Sequence, residues 1–360
     1  VSQSGAVATA LIDWASAAGV GFSSVISLGA GIDLDFGEIL DYLYCDAATR
    51  SILLYVEGVR DARRFISGLR AAARSKPIMV LKVGRHLSGL KAAMSHTGSL
   101  AGNDAVFDAV LRRCGVVRVK TYDELFSAAG LIGNGPVPRG DRLAIVTNGG
   151  GPGVLAADFA AEAGVALARL SAQTLASLDA FLPPHWSHGN PADVLGDATT
   201  ARLGQALAAV LADPAVDAVL TLFCPQLVLP AADAAQVIVT AAHAADKPVL
   251  TAWLGESEVR AGKLVAEEAR LPVYDSPESA VAAFGALADY RKAQTLLLEV
   301  PPPLSSPVHP DLDGATAIAT AALAAGRSLL TEPEAKRLLA CFGIPVPRII
   351  VAATADAARA

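Results

Sequence analysis

The hydrophobic pattern alternates between short buried runs and longer amphipathic ones. Ser51–Val56 (SILLYV) and Pro77–Val83 are continuous apolar runs, which is how a strand covered on both faces reads. Phe22–Leu28 and Val116–Val119 read as further strands. Helical periodicity falls between them, over Ala6–Ala18, Phe36–Tyr44, Asp61–Ala73, Ala105–Cys114 and Tyr122–Ile132. After the glycine- and proline-rich stretch Gly133–Gly140 the same alternation resumes. Strands are expected at Arg142–Thr147, Val165–Leu170, Ala218–Leu222 and Pro248–Ala252. Helices are expected at Val154–Ala163, Thr174–Phe181, Ala201–Leu211, Ala231–Ala244, Ser257–Ala269 and Pro277–Ala293, with a long loop over Leu182–Ala198. Such an order implies an α/β fold with parallel sheets covered by helices. Glu299–Pro307 (EVPPPLSSP) reads as a semi-rigid linker. Beyond it Thr331–Cys341 is a helix with Thr331 and Glu334 as a capping box, and GIPVP (343–347) opens a strand.

Composition narrows the classes. The 360 residues suit two or three domains, and with 53% hydrophobic but only 5% aromatic residues the cores must be aliphatic. A net charge of −6 without a basic run argues against nucleic acid. No apolar run reaches bilayer length, and the first ten residues lack a signal peptide's charged start, so a cytoplasmic protein is expected. Cys45, Cys114, Cys224 and Cys341 are widely spaced, which argues against a zinc site or disulfide framework and fits a reducing compartment. His185 and His188 share a loop but no third ligand is evident, so no metal is assigned. The chain starts without Met, at what reads as the end of a strand entering a helix, and is expected to be a piece of something longer.

Candidate chemistry gathers at strand ends. Lys91–Asp104 (KAAMSHTGSLAGND) is too poor in apolar bulk for a core element. His96 lies among small residues there, with Asn103 or Asp104 able to cap the next helix, which suits a nucleophile or carrier that travels. Ser4-Gly5 opens a helix after the first strand and could face an anion with free N–H groups. Glu57 ends the SILLYV strand, and a carboxylate there could fix an imidazole tautomer. In parallel sheets ligands bind beyond the strands' carboxyl ends, where all three would converge. Asn148–Gly153 (NGGGPG) is a second glycine-rich strand-to-helix turn, without the Lys-Ser/Thr of a P-loop.

The pieces VSQSGA (1–6), SLGAGIDLDF (27–36), ILLYVEGV (52–59), LKVGR (81–85), SHTGSLAGND (95–104), VTNGGGPG (146–153), NPADVLGDA (190–198) and LTEPEAKRLLACFGIPVP (330–347), in this order, resemble the nucleoside-diphosphate-forming acyl-CoA synthetases. These are relatives of succinyl-CoA synthetase, with ADP-forming acetate–CoA ligase as the type. The resemblance implies two tandem flavodoxin-like parallel-sheet domains, at 1–135 and 141–297, a linker at 298–327 and the start of an ATP-grasp domain at 328–360. It implies that His96 becomes phosphorylated and that Glu57 holds it. Ser4, Gly5 and Ala6 on one helix start and Gly149, Gly150, Gly151 and Gly153 on another would bind the phosphate. Asn190 and Asp193 would contact substrate.

The implied reaction joins a small carboxylic acid to CoA at the expense of ATP through an acyl phosphate. ATP/Mg²⁺ and CoA would be bound mainly by CoA-binding and ATP-grasp domains that this chain lacks, present in cis or as subunits. No nucleic acid or membrane partner is implied, and homo-oligomerisation is left open. The same region also occurs in bacterial protein-lysine acetyltransferases as a regulatory module, which is the alternative reading. The retained His96, Glu57 and both glycine turns favour the ligase. A flavin-binding flavodoxin would leave the SHTG loop unexplained.

Overall fold

The computed structural model describes residues 1–17, 20–85, 103–122, 124–127, 136–300, 309–354, 356 and 359. The His96 loop, 86–102, therefore lies outside the described residues. The chain divides into a large unit, Val1–Glu299, and a small one, Val300–Ala360.

The large unit holds two parallel sheets. In the first, β1 (Ile52–Val56), β2 (Ile78–Lys82) and β3 (Val117–Val119) pair in that order. Ser2 extends the sheet beyond β1 by parallel bridges to Tyr55 on one side and Ser27 on the other. The spatial order is thus residue 27, residue 2, β1, β2, β3, which in chain order is 2-1-3-4-5, the flavodoxin-like arrangement. The expected strand Phe22–Leu28 shrinks to this contact. Only the Ile26 carbonyl and the Leu28 N–H bond Ser2, at 2.9 and 2.8 Å, while Phe22 and Val25 are exposed.

Helices α1 (Gly5–Ala17), α2 (Phe36–Cys45), α3 (Ala62–Ala72) and α4 (Asp104–Arg113) belong to the same half. Their starts follow from side chains. Asp35 and Glu38 form a capping box on α2, Asp61 accepts the Arg64 N–H, and Asn103 accepts the Ala105 N–H. Gly37 and Gly68 let α2 and α3 touch: a Cβ on Gly37 would sit 2.9 Å from the Arg64 Cβ. Leu40, Leu54, Val56, Leu69, Ile78 and Val80 are fully buried between these helices and the strands. Each such side chain contributes roughly 1.5–3 kcal/mol of burial.

The second sheet contains β4 (Arg142–Thr147), β5 (Ala166–Leu167), β6 (Ala192–Asp193), β7 (Ala218–Phe223), β8 (Val249–Trp253) and β9 (Val273–Tyr274). Its order is β5-β4-β7-β8-β9, with β6 also against β4, and every pairing is parallel. This is again 2-1-3-4-5. The expected strand Val165–Leu170 is cut to two residues. The short β6 and β9 were not foreseen, because two-residue strands carry no periodicity.

Helices α5 (Gly150–Glu162), α6 (Ala172–Asp179), α7 (Thr200–Ala212), α8 (Ala231–Ala244), α9 (Arg260–Glu268) and α10 (Pro277–Leu298) complete this half. The α10 helix crosses back to the first sheet, where Gln294 donates to the Ala73 carbonyl at 2.7 Å.

In the small unit α11 (Leu312–Ala324) occupies part of the stretch expected to be linker. Asp311 caps it, accepting the Gly314 N–H at 2.8 Å. In α12 (Glu332–Cys341), the Thr331–Glu334 capping box is formed as expected, and Glu334 also takes a two-pronged ion pair from Arg327. The expected strand at 343–347 has no strand pairing.

Candidate functional site

The site is the switch point of the first sheet, where the chain's first strand and β1 lie side by side and their following segments diverge. At the end of the first strand the Ser2 hydroxyl donates to the Ser4 carbonyl at 2.7 Å and accepts the Ser4 N–H at 3.0 Å. Ser4 then caps α1, its hydroxyl oxygen accepting the Val7 N–H at 3.4 Å. The N–H groups of Gly5 and Ala6 have no partner among the described residues, so the helix start presents two free donors along its dipole. Ser4, Gly5 and Ala6, the residues expected to bind a phosphate, all lie at this helix start.

Glu57 stands at the end of β1 beside that helix start and is buried, 5% exposed. Its main chain is tied on both sides. Gln3 Oε1 accepts the N–H of Glu57 at 2.6 Å and that of Gly58 at 3.0 Å. Lys82 Nζ donates to the Glu57 carbonyl at 2.8 Å and to the Val83 carbonyl. Lys82 is itself buried, 5% exposed, and lies 5.7 Å from the Phe107 ring. Burial lowers its pKa, partly offset by the charges of Asp104 and Glu57. Four residues beyond Lys82 the chain enters the segment that carries His96, and the described chain resumes at Asn103, the cap of α4. The return is pinned by Arg118, which pairs with Asp104 at 2.5 Å and Asp108 at 3.3 Å. Sequence reasoning missed Gln3 and Lys82. Both lay inside the motifs VSQSGA and LKVGR, and a buried lysine in an apolar strand was the available signal.

The second sheet repeats the device. Thr147 Oγ1 donates to the Gly149 carbonyl at 2.9 Å and accepts the Gly149 N–H at 3.1 Å, as Ser2 does for Ser4. Asn148 stands where Gln3 stands: its Nδ2 donates to the Cys224 carbonyl, and its Oδ1 accepts the Cys224 N–H, both at 2.8 Å. The N–H groups of Gly150 and Gly151 are without partners among the described residues, matching Gly5 and Ala6.

The remaining candidates here behave differently. Gly153 serves packing, since a Cβ there would meet Thr147 Cγ2 at 3.0 Å and Pro191 Cβ at 3.3 Å. Asp193 faces the same turn. One carboxylate oxygen accepts the Leu195 N–H at 2.8 Å, and the other lies 3.1 Å from where a Gly150 Cβ would be. A phosphate at this turn would share it with that carboxylate, which also helps burial push the Cys224 thiol upward. Asn190, expected to contact substrate, bonds main-chain groups. Its Oδ1 accepts the Ile145 N–H and its Nδ2 donates to the Leu143 and Ala168 carbonyls, all at 2.9 Å, so both amide donors are engaged with the main chain. His188 is engaged by Asp179 and the Pro184 carbonyl, at 2.8 and 2.9 Å. Among the described residues no group of three or more His, Cys, Asp or Glu could hold a metal ion, and no helix is long and apolar enough to cross a membrane.

Comparison with known proteins follows the same two halves. Residues 1–132 match the succinyl-CoA ligase-like flavodoxin domain, and residues 143–298 match the Ligase-CoA domain. The chain is 38% identical over 297 residues to subunit alpha of the ADP-forming acetate–CoA ligase I of Pyrococcus furiosus, covering 81% of this chain and 63% of that one. It is 39% identical over 292 residues to the ADP-forming acetate–CoA ligase I of Archaeoglobus fulgidus, covering 81% and 42%. The solved dinucleotide-forming acetyl-coenzyme A synthetase 1 of Candidatus Korarchaeum cryptofilum, in complex with phosphate and ADP, superposes with a TM-score of 0.77 at 34% identity. That match covers 83% of this chain and 66% of that one. The chain thus spans about two fifths to two thirds of the length of these relatives. With both sheet domains matched in order and its structure superposing at this identity, the chain belongs to the nucleoside-diphosphate-forming acyl-CoA synthetase family.

Proposed function

We propose that this chain is the phosphotransfer core of a carboxylic acid–CoA ligase, which turns acid, CoA and ATP into acyl-CoA, ADP and phosphate. His96 takes the γ-phosphoryl group from ATP on one ring nitrogen, and ADP leaves. The phosphoryl group passes to the acid's carboxylate, giving an acyl phosphate and free imidazole. The CoA thiolate attacks the acyl carbon and expels phosphate. Glu57 accepts a hydrogen bond from the other ring nitrogen and so keeps the attacking nitrogen unprotonated. The free N–H groups of Gly5 and Ala6, and those of Gly150 and Gly151 in the second half, bind the phosphohistidine.

One observation carries the reading. A buried carboxylate, Glu57, and a helix start with two free donors meet at a switch point, and the strand beside them leads directly into the His96 segment. ATP with Mg²⁺ and CoA are taken to be held mainly by further domains or subunits, because the relatives are longer. The names of those relatives support a small carboxylic acid as the acceptor.

The test is to incubate the full-length gene product with ATP and Mg²⁺, as wild type and as His96→Asn. An acid-labile, base-stable phosphate on the wild type alone, discharged by an acid plus CoA, is expected. Ligase activity that survives His96→Asn overturns the proposal.

A further inference from the structure

The two sheets make an internal control. Register aligns Val56 with Phe223, and their β2 and β8 partners Lys82 with Trp253. The next residues, Glu57 and Cys224, are therefore equivalent. So are Gln3 and Asn148, each following the residue that pairs with Tyr55 or Leu222. The main-chain bonds correspond as well: Val83 donates to the Val56 carbonyl and Leu254 to the Phe223 carbonyl, at 3.1 and 2.9 Å.

Against this background Lys82 stands out. Its counterpart Trp253 is fully buried and uses its own neighbour, Thr251, as hydrogen-bond partner. The fold therefore does not need a cation at this position, and burying one is costly. Gln3 also departs from its twin. Asn148 bonds both the N–H and the carbonyl of one residue, whereas the longer Gln3 gives one oxygen to two successive N–H groups, those of Glu57 and Gly58. These belong to the peptide planes on either side of the Glu57 Cα. Lys82 holds the carbonyl of the second plane from the opposite side. Together they fix both backbone torsions of Glu57, and with them the line along which its side chain leaves the strand.

We propose that Gln3 and Lys82 are positioning residues for Glu57. They hold its backbone in a two-sided clamp, present in this form only in the half of the molecule whose fourth strand leads to His96. The inference rests on the phosphohistidine reading above and deepens it.

The experiment is a single-turnover measurement of phosphoenzyme formation from ATP in the full-length protein. It compares wild type, His96→Asn, Gln3→Met, Lys82→Met and Gln3→Glu. The methionines keep side-chain volume but remove the acceptor and the cation. Each is expected to slow the rate constant roughly ten- to a hundred-fold, as displacement of a reacting group does, with the labelled fraction and the ATP dependence unchanged. Gln3→Glu keeps an acceptor for both N–H groups and is expected to restore the rate to within about threefold of wild type.

A purely structural role would lower the labelled fraction and the melting temperature while leaving the rate constant intact, and that result overturns the proposal. So does a wild-type rate in both methionine variants, or failure of Gln3→Glu to fold or to restore the rate. Label persisting on His96→Asn would instead overturn the phosphohistidine reading itself, a separate outcome.

Discussion

Asn148 and Cys224 are joined by a two-way bond, amide to carbonyl and N–H to amide oxygen, both at 2.8 Å. This closes the switch point of the second sheet, where β4 and β7 part. Replacing Asn148 by Leu leaves a half-buried N–H and carbonyl without partners. A loss of about 1–3 kcal/mol in unfolding free energy is expected. Urea unfolding followed by far-UV circular dichroism checks it; an unchanged midpoint would mean that water takes over both bonds.

Asn190 bonds three main-chain groups across the edge of the same sheet. Asn190→Leu should therefore cost more, roughly 2–4 kcal/mol. Because both amide donors are taken by the main chain, none is left for a substrate carboxylate, and the variant's preference among carboxylic acids, measured as a ratio of kcat/KM values, should stay at the wild-type ratio. A changed preference with unchanged stability would reverse the assignment.

Asp217 gives a pH dependence. Its carboxylate takes Arg142 Nε at 2.8 Å and Nη2 at 3.0 Å, and the Arg142 N–H at 3.0 Å. The Arg142 guanidinium holds its pKa below the ordinary 3.8, against the opposing effect of burial. The bond's contribution is thus fully present above the unfolded-state pKa and is lost as pH falls through the depressed folded value. Stability should drop on acidification below about pH 4. Asp217→Asn should be less stable at pH 7 and show a shallower acid loss, read from urea midpoints between pH 3 and 7. A parallel pH profile in the variant would discount the pair.

Gly262 lies where α9 meets β8. A Cβ there would approach Trp253 Cζ3 to 2.6 Å and the Ala231 carbonyl oxygen to 2.7 Å. Gly262→Ala should destabilise by about 1–3 kcal/mol despite alanine's better helix propensity. A calorimetric Tm at or above that of wild type would show that the helix can shift away.

The thiols should separate by access. Cys45 is exposed and Cys114 is buried, with its pKa raised by that burial. Maleimide at neutral pH should label Cys45 first, Cys224 slowly and Cys114 only after unfolding. Peptide mapping by mass spectrometry resolves the order.

The alternation of strands and helices was legible because buried parallel strands are long apolar runs, as SILLYV and RLAIVT are. The helix starts at Asn103 and Thr331 were legible from their capping residues. What escaped was too short or too polar to leave a period. β6 and β9 have two residues each, and Ser2 joins its sheet through single bridges. The α11 helix hid behind a proline-rich run, although Asp311 is an ordinary cap. At the candidate site, Ser4, Gly5 and Glu57 were legible as candidates because strand ends in parallel sheets are where ligands sit. The clamp could not, since it depends on which strands become neighbours. The backbone bonds of Asn190 escaped for the converse reason: a polar loop residue looks available until its three backbone partners are seen.

The peg at Asn103 sets a leash. His96 is seven residues from Asn103 and eleven from Arg85. A fully extended chain covers at most about 3.3–3.6 Å per residue, so the shorter arm confines the Cα of His96 to a sphere of about 25 Å around the Cα of Asn103, the cap of α4. On the phosphohistidine proposal, the nucleotide that charges the histidine and the acid that discharges it would both have to come within side-chain reach of that sphere. The ion pairs of Arg118 with Asp104 and Asp108 fix where its centre lies. Each residue inserted between His96 and Asn103 would lengthen the radius by one step, and each deletion would shorten it by one.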